Sequence, residues 1–225
     1  MKKVFIIIIS ILLCFNNLKA QEEKEVQHHR ISFNIGWAYR FGKIQNPYDS
    51  QGKYRNGLNL NLSYSYFFND FLGVGLNGNL STLYNYKYTE KNDPLDPNTE
   101  WTLEKNAQIY YVAPMFATRF FYNKKKNSCF NANIGLGWIY YINVTRLNGS
   151  PSYANGNTLG YNASVGTDFY ISKNISFGLN VSVILANLKK YKLKSDEKVS
   201  IINLPKGEYE NLSQLLVTFV LSYNK

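Results

Sequence analysis

Large apolar and small polar side chains alternate with a period of two over eight separate stretches of the chain. The first, 31–42, sets Ile31, Phe33, Ile35, Trp37, Tyr39 and Phe41 against Ser32, Asn34, Gly36, Ala38 and Arg40. The second, 57–68, sets Leu58, Leu60, Leu62, Tyr64 and Tyr66 against Asn59, Asn61, Ser63 and Ser65. The other six cover 71–84, 109–122, 130–142, 159–171, 175–188 and 212–223. Runs of this length fit poorly on a helix and predict strands with one apolar face. Pro114, inside the fourth stretch, cannot donate to a ladder, which predicts a bulge or a missing bond there.

Charge then decides what the apolar face meets. Arg40, Arg119 and Asp168 are the only charged residues in the eight stretches. A barrel in water, with its apolar face inward, needs charge on the outer face. Three charges over eight strands are far too few, so the apolar side chains must meet lipid, with Gly, Asn, Ser and Ala inside. Unpaired backbone groups are costly in hydrocarbon, so the sheet must close. The fold expected is all-β: an eight-stranded antiparallel up-and-down transmembrane β-barrel. Connections alternate between short (69–70, 123–129, 172–174) and long (43–56, 85–108, 143–158, 189–211). Short periplasmic turns and long external loops are the habit of outer-membrane barrels, which places both termini in the periplasm. Outward aromatics gather near strand ends, with Tyr39, Phe41, Tyr84, Tyr110, Tyr140 and Tyr161 at one rim. Phe68, Phe120, Tyr122, Phe169, Phe177 and Tyr223 gather at the other, as interfacial girdles require.

Composition adds the address. Met1-Lys2-Lys3, the apolar run 4–15 and Ala20 read as a signal peptide over 1–20, too short to span a bilayer comfortably. A periplasmic tail is expected over 21–29 and the barrel over 30–225. Removing the leader lowers the formal charge from +10 to about +7, still basic. These charges sit in the connections and not on one face of an element, which argues against nucleic acid as a partner. Cys129 alone remains after processing, so no intramolecular disulfide forms.

Two stretches resemble the small outer-membrane β-barrel proteins of Bacteroidota, the group that includes PorT-like proteins. One is Tyr110-Tyr111-Val112-Ala113-Pro114 leading to Arg119-Phe120-Phe121-Tyr122. The other runs from Gly166-Thr167-Asp168-Phe169-Tyr170-Ile171-Ser172 through Ile175-Ser176-Phe177. The resemblance spans roughly residues 30–223 and is architectural, implying a barrel and no single activity.

Candidate chemistry is sparse. The two histidines, His28 and His29, precede the first strand and read as a solvated tail, because no further metal ligands cluster nearby. No Ser–His or Cys–His nucleophilic arrangement is visible. Arg119 and Asp168 point inward by parity on strands that flank the fifth, and they are expected to form an ion pair plugging the lumen. Arg40 is expected apart from them, at the outer lumen mouth. An eight-stranded interior is about filled by its own side chains, so a wide pore is not expected. The lysines of 189–198 suit either a solvated face or anionic lipopolysaccharide, and the solvated face is the preferred reading. The chain thus reads as a non-enzymatic barrel, without cofactor or metal, with a structural, surface-binding or partner-docking role. Its expected partners are outer-membrane lipid and lipopolysaccharide, with a possible envelope protein at the turn around 123–127. A secretion component, a lipid-modifying enzyme and a narrow channel stand as alternatives.

Overall fold

The computed structural model describes residues 26–42, 55–93, 96–122, 127–195 and 198–225. The expected signal peptide and most of the 21–29 tail fall outside them. Seven strands follow in order: β1 (His29–Arg40), β2 (Asn56–Phe67), β3 (Leu72–Asp93), β4 (Asp96–Phe121), β5 (Ser128–Leu147), β6 (Ser150–Tyr170) and β7 (Ile175–Leu188). Three short ones come next: β8 (Lys190–Ser195), β9 (Lys198–Asn203) and β10 (Glu210–Asn211). The last is β11 (Gln214–Asn224).

Strands β1 to β7 pair each with the next, β7 pairs with β11, and β11 pairs back onto β1 from Arg30↔Asn224 to Arg40↔Gln214. The result is a closed antiparallel barrel of eight strands. Closure leaves no edge within the wall, as a lipid setting demands. The faces are assigned as the charge pattern predicts. Ile31, Phe33, Ile35 and Trp37 remain 40–48% exposed, whereas Ser32, Asn34, Ala38 and Arg40 are no more than 6% exposed. Outward Phe120, Tyr122, Phe169, Phe177 and Tyr223 ring the end that carries both chain termini. Two turns at that end are fixed by their own side chains. Asn69 Oδ1 accepts from the Phe71 and Leu72 amides, and Ser172 Oγ accepts from the Asn174 and Ile175 amides.

Structure and sequence part company at the opposite end. Segments 85–108 and 143–158, expected as loops, continue the strands: β3 and β4 pair out to Asp93↔Asp96, and β5 and β6 out to Leu147↔Ser150. The β5–β6 link is only Asn148-Gly149, both at positive φ (49° and 84°). An Asn-Gly pair meets that demand at little cost and favours the tightest hairpin. Within 189–211, β8 and β9 form another hairpin that adds to β6. Beyond the bilayer neither face must be apolar, so the hydropathy alternation lapses while backbone pairing continues. The signal was absent from the side chains and present only in the turn.

Pro114 removes a ladder bond without shifting the strands. Pairing of β4 with β5 stops at Val112↔Trp138 and resumes at Met115↔Gly135 in unchanged register.

Candidate functional site

The lumen has two differently built halves. Toward the hairpins, inward Leu83, Ile109, Tyr111, Ile139, Ile184 and Leu216 join Leu212 in one buried apolar cluster. Toward the termini the lining is polar, and asparagines link neighbouring strands. Asn34 donates to Asn61 (3.1 Å) and Asn61 to Asn77 (3.0 Å). Small polar side chains on adjacent strands are within reach of one another, which is the sheet's local route to satisfying buried amides.

Arg30 crosses the polar half from β1 to β6, where its Nη2 meets Asp168 Oδ2 at 2.7 Å. Both side chains are buried, at 8% and 2% exposure. The expected Arg119–Asp168 pair does not form. Arg119 Nη2 instead donates to the Gln27 carbonyl (2.6 Å) and Nε to the Asp70 carbonyl (3.1 Å). Its guanidinium lies 4.0 Å above the centre of the Phe67 ring and 5.3 Å from that of Phe121. Those carbonyls and rings lie at the terminal end of the barrel and draw the arginine that way, leaving Asp168 to Arg30. Gly178 lies directly opposite Asp168. A Cβ there would strike the Thr167 carbonyl and come within 2.7 Å of Asp168 Oδ1.

The contact from Arg119 to Gln27 ties the start of the described chain across this mouth. Phe67 N donates to the His28 carbonyl, and His28 Nδ1 bonds the Phe67 carbonyl at 2.8 Å. His29 is already in β1, its Nδ1 2.9 Å from the Tyr64 hydroxyl. The histidines are therefore fastened to β2, one to backbone and one to a tyrosine: His29 stays exposed, and half-buried residues 26–28 form a strap. Beside it lies a cavity of about 1100 Å3 lined in part by Gln27, His28, Asp70, Phe121, Tyr170 and Lys173. Cys129 is buried, with Sγ 3.7 Å from Asn131 Oδ1.

Arg40 sits where expected, at the mouth under the hairpins, and is fully buried. It donates from Nε (2.7 Å) to the Asn211 carbonyl and pairs through Nη2 with Glu210 Oε1 (2.5 Å). Its guanidinium lies 5.5 Å from the centre of the Tyr141 ring. Glu210 and Asn211 form β10, which pairs with Leu188 and Asn187 at the end of β7. Leu212 then enters the apolar cluster, its amide donating to the Ala186 carbonyl at 2.9 Å. A segment expected as external loop is thus folded into the mouth and latched there by Arg40. Burial, and next the Glu210 carboxylate, raise the Tyr191 phenol above the usual tyrosine range.

Within the polar half, Arg30, Asn34, Asn61, Asn131, Ser164 and Asp168 border a cavity of about 20 Å3. That is room for about one water. Among the described residues, no three His, Cys, Asp or Glu side chains converge to hold a metal.

Sequence reasoning missed Arg30 and Glu210. Arg30 shares the inward parity of Ser32 and Asn34 but precedes the first recognised alternation by one residue. Glu210 lies in a stretch with no alternation to read.

Comparisons with known proteins agree with this architecture. No curated protein matches the sequence. Among solved structures, the fold is similar to a major outer membrane protein from Thermus thermophilus at a TM-score of 0.55. The identity is 11%, over 88% of this chain and 99% of that one. Neisserial surface protein A gives a TM-score of 0.51 at 11% identity, over 88% and 97% of the two chains. At such identity the likeness speaks for the fold alone. Residues 8–221, however, match the family described as outer membrane protein beta-barrel domain. The chain therefore belongs to that family, and its place is the outer membrane.

Proposed function

We propose that this is a non-enzymatic outer-membrane barrel whose hairpin end faces the exterior and serves as a platform for surface binding or partner docking. Both termini then lie in the periplasm. The observation that carries this reading is the contrast between the two parts of the hairpin end. The lumen there is closed by the apolar cluster and by the Arg40–Glu210 latch. The wall, in contrast, continues past the bilayer as a six-stranded sheet in the order β3-β4-β5-β6-β8-β9. A filled lumen leaves the sheet and its hairpins as the parts able to meet a partner. Whole-cell labelling tests the orientation. A Ser150→Cys variant, at the tip of β5–β6, should react with a membrane-impermeant maleimide on intact cells. A Lys173→Cys variant should react only after the outer membrane is permeabilised. The reverse pattern would overturn the proposal.

A second reading has one observation in its favour. The cavity of about 1100 Å3 at the terminal end would suit a periplasmic partner, as a PorT-like envelope-assembly component requires. Of the turn expected to touch such a partner, residues 123–126 lie outside the described residues. Cross-linking from Lys173 in intact cells separates this reading from the first.

A further inference from the structure

The β8–β9 hairpin presents two unlike faces. Tyr191 and Leu193 turn inward, and Tyr191 packs on the apolar cluster. The intervening Lys190, Lys192 and Lys194 are all exposed on the outer face, the same face that carries the lipid-facing side chains lower on β6. Register fixes their neighbours: Lys194 lies between Tyr153 on β6 and Val199 on β9, and Lys192 between Asn155 and Ile201. Val199 and Ile201 are each 63% exposed and Tyr153 is 41% exposed. Among the described residues the three lysines form no ion pair, and none of these neighbours is a carboxylate. Three ammonium groups, roughly 7 Å apart along the strand, therefore stand in a row with apolar side chains beside Lys192 and Lys194.

Height above the bilayer gives the row its meaning. On β6 the outward side chains run from Tyr161 and Leu159, both strongly exposed, through Asn157 to Asn155 and Tyr153. Asn157 pairs with Tyr140, an outward aromatic of the girdle, so the hydrocarbon ends near that level. Lys192, opposite Asn155, is two residues higher, or about 5 Å along the barrel axis at the usual strand tilt. The polar headgroup layer is roughly 5–8 Å deep on each side. Lysine stems lie along apolar surface and carry the ammonium to such an interface. Lys190 and Lys192 thus lie at headgroup depth, directly above an acyl-facing wall, with Lys194 about 5 Å higher.

We infer that the outward face of β8, Lys190, Lys192 and Lys194 with Val199, Ile201 and Tyr153, binds the phosphate groups of an acylated lipid of the outer leaflet. This assignment rests on the external placement of the hairpin end proposed above, which the cell-labelling experiment tests separately.

The test uses the purified full-length protein in detergent and diphosphoryl lipid A as probe, with binding read by native mass spectrometry. The wild type should retain the lipid. The variant K190Q/K192Q/K194Q should bind on the order of a hundredfold more weakly, since each lysine near an anionic surface contributes roughly a factor of five. K190R/K192R/K194R should restore binding, and K189Q/K198Q/K206Q, outside the row, should leave it unchanged. Equal binding by wild type and K190Q/K192Q/K194Q would overturn the assignment. So would equal binding of phosphate-free lipid A, or pyrophosphate binding as tightly as the lipid. Should the glutamine variant not fold, salt on the wild type decides: binding must weaken as ionic strength rises past ~0.1 M, where the Debye length is about 10 Å. Salt-independent binding would sink the proposal. These measurements in detergent do not depend on orientation, so they and the labelling experiment can fail independently.

Discussion

Arg30 and Asp168 meet inside the polar half of the lumen with almost no access to solvent. An ion pair in that setting is a weak source of net stability, because both charges must first lose their water, but removing one partner strands the other. Asp168→Ala should therefore cost about 3–5 kcal/mol, read as a fall in the urea midpoint for unfolding from lipid vesicles. The double variant Arg30→Met/Asp168→Leu should recover most of that loss, since it removes both charges together. Gly178→Ala should act on the same pair indirectly, pushing against the Thr167 carbonyl and Asp168 Oδ1. Its cost should shrink in the Asp168→Ala background, a coupling that a double-mutant cycle measures. Inward parity for Arg40, Arg119 and Asp168 was legible in the sequence, because a period of two leaves each strand residue one of two faces. Partner choice was not. A long arginine side chain reaches several positions across a narrow lumen, and here Arg119 is claimed by the carbonyls of Gln27 and Asp70.

At the level of elements, the eight wall strands coincide with the eight alternating stretches because hydrocarbon outside and a packed polar lumen inside impose opposite demands on successive residues. Outside the bilayer that constraint ends, and β3–β4 and β5–β6 extend through sequence with no comparable pattern. Their termination rests on turn chemistry. A hydrophilic epitope inserted between Asn148 and Gly149 should leave the barrel folded, because the link is a two-residue turn with both residues in the positive-φ region and far from the wall. Unchanged heat-modifiable mobility in gels checks this outcome. Within the bilayer, tolerance should follow the face. Ile134, 61% exposed on the outer face of β5, should resist replacement by arginine, at about 2–4 kcal/mol in unfolding from vesicles. A barrel with its outside in water would accept that change at little cost, so the measurement separates the two environments.

Seen as a whole molecule, the protein is a wall open to lipid on its outside and filled on its inside. The polar half narrows to a cavity of about 20 Å3, and the other half is sealed by the apolar cluster into which Leu212 folds. Arg40 holds that fold-back through Glu210 and the Asn211 carbonyl. Among the described residues, the surfaces left for interaction include the extended sheet, with its lysine row, and the cavity beside the 26–28 strap. The docking-platform reading follows from the lumen being closed, so conductance is its most direct test. The purified full-length protein, inserted into planar bilayers, should give no stable ohmic steps across moderate voltages of either sign. Reproducible long-lived open steps from folded protein would contradict the account.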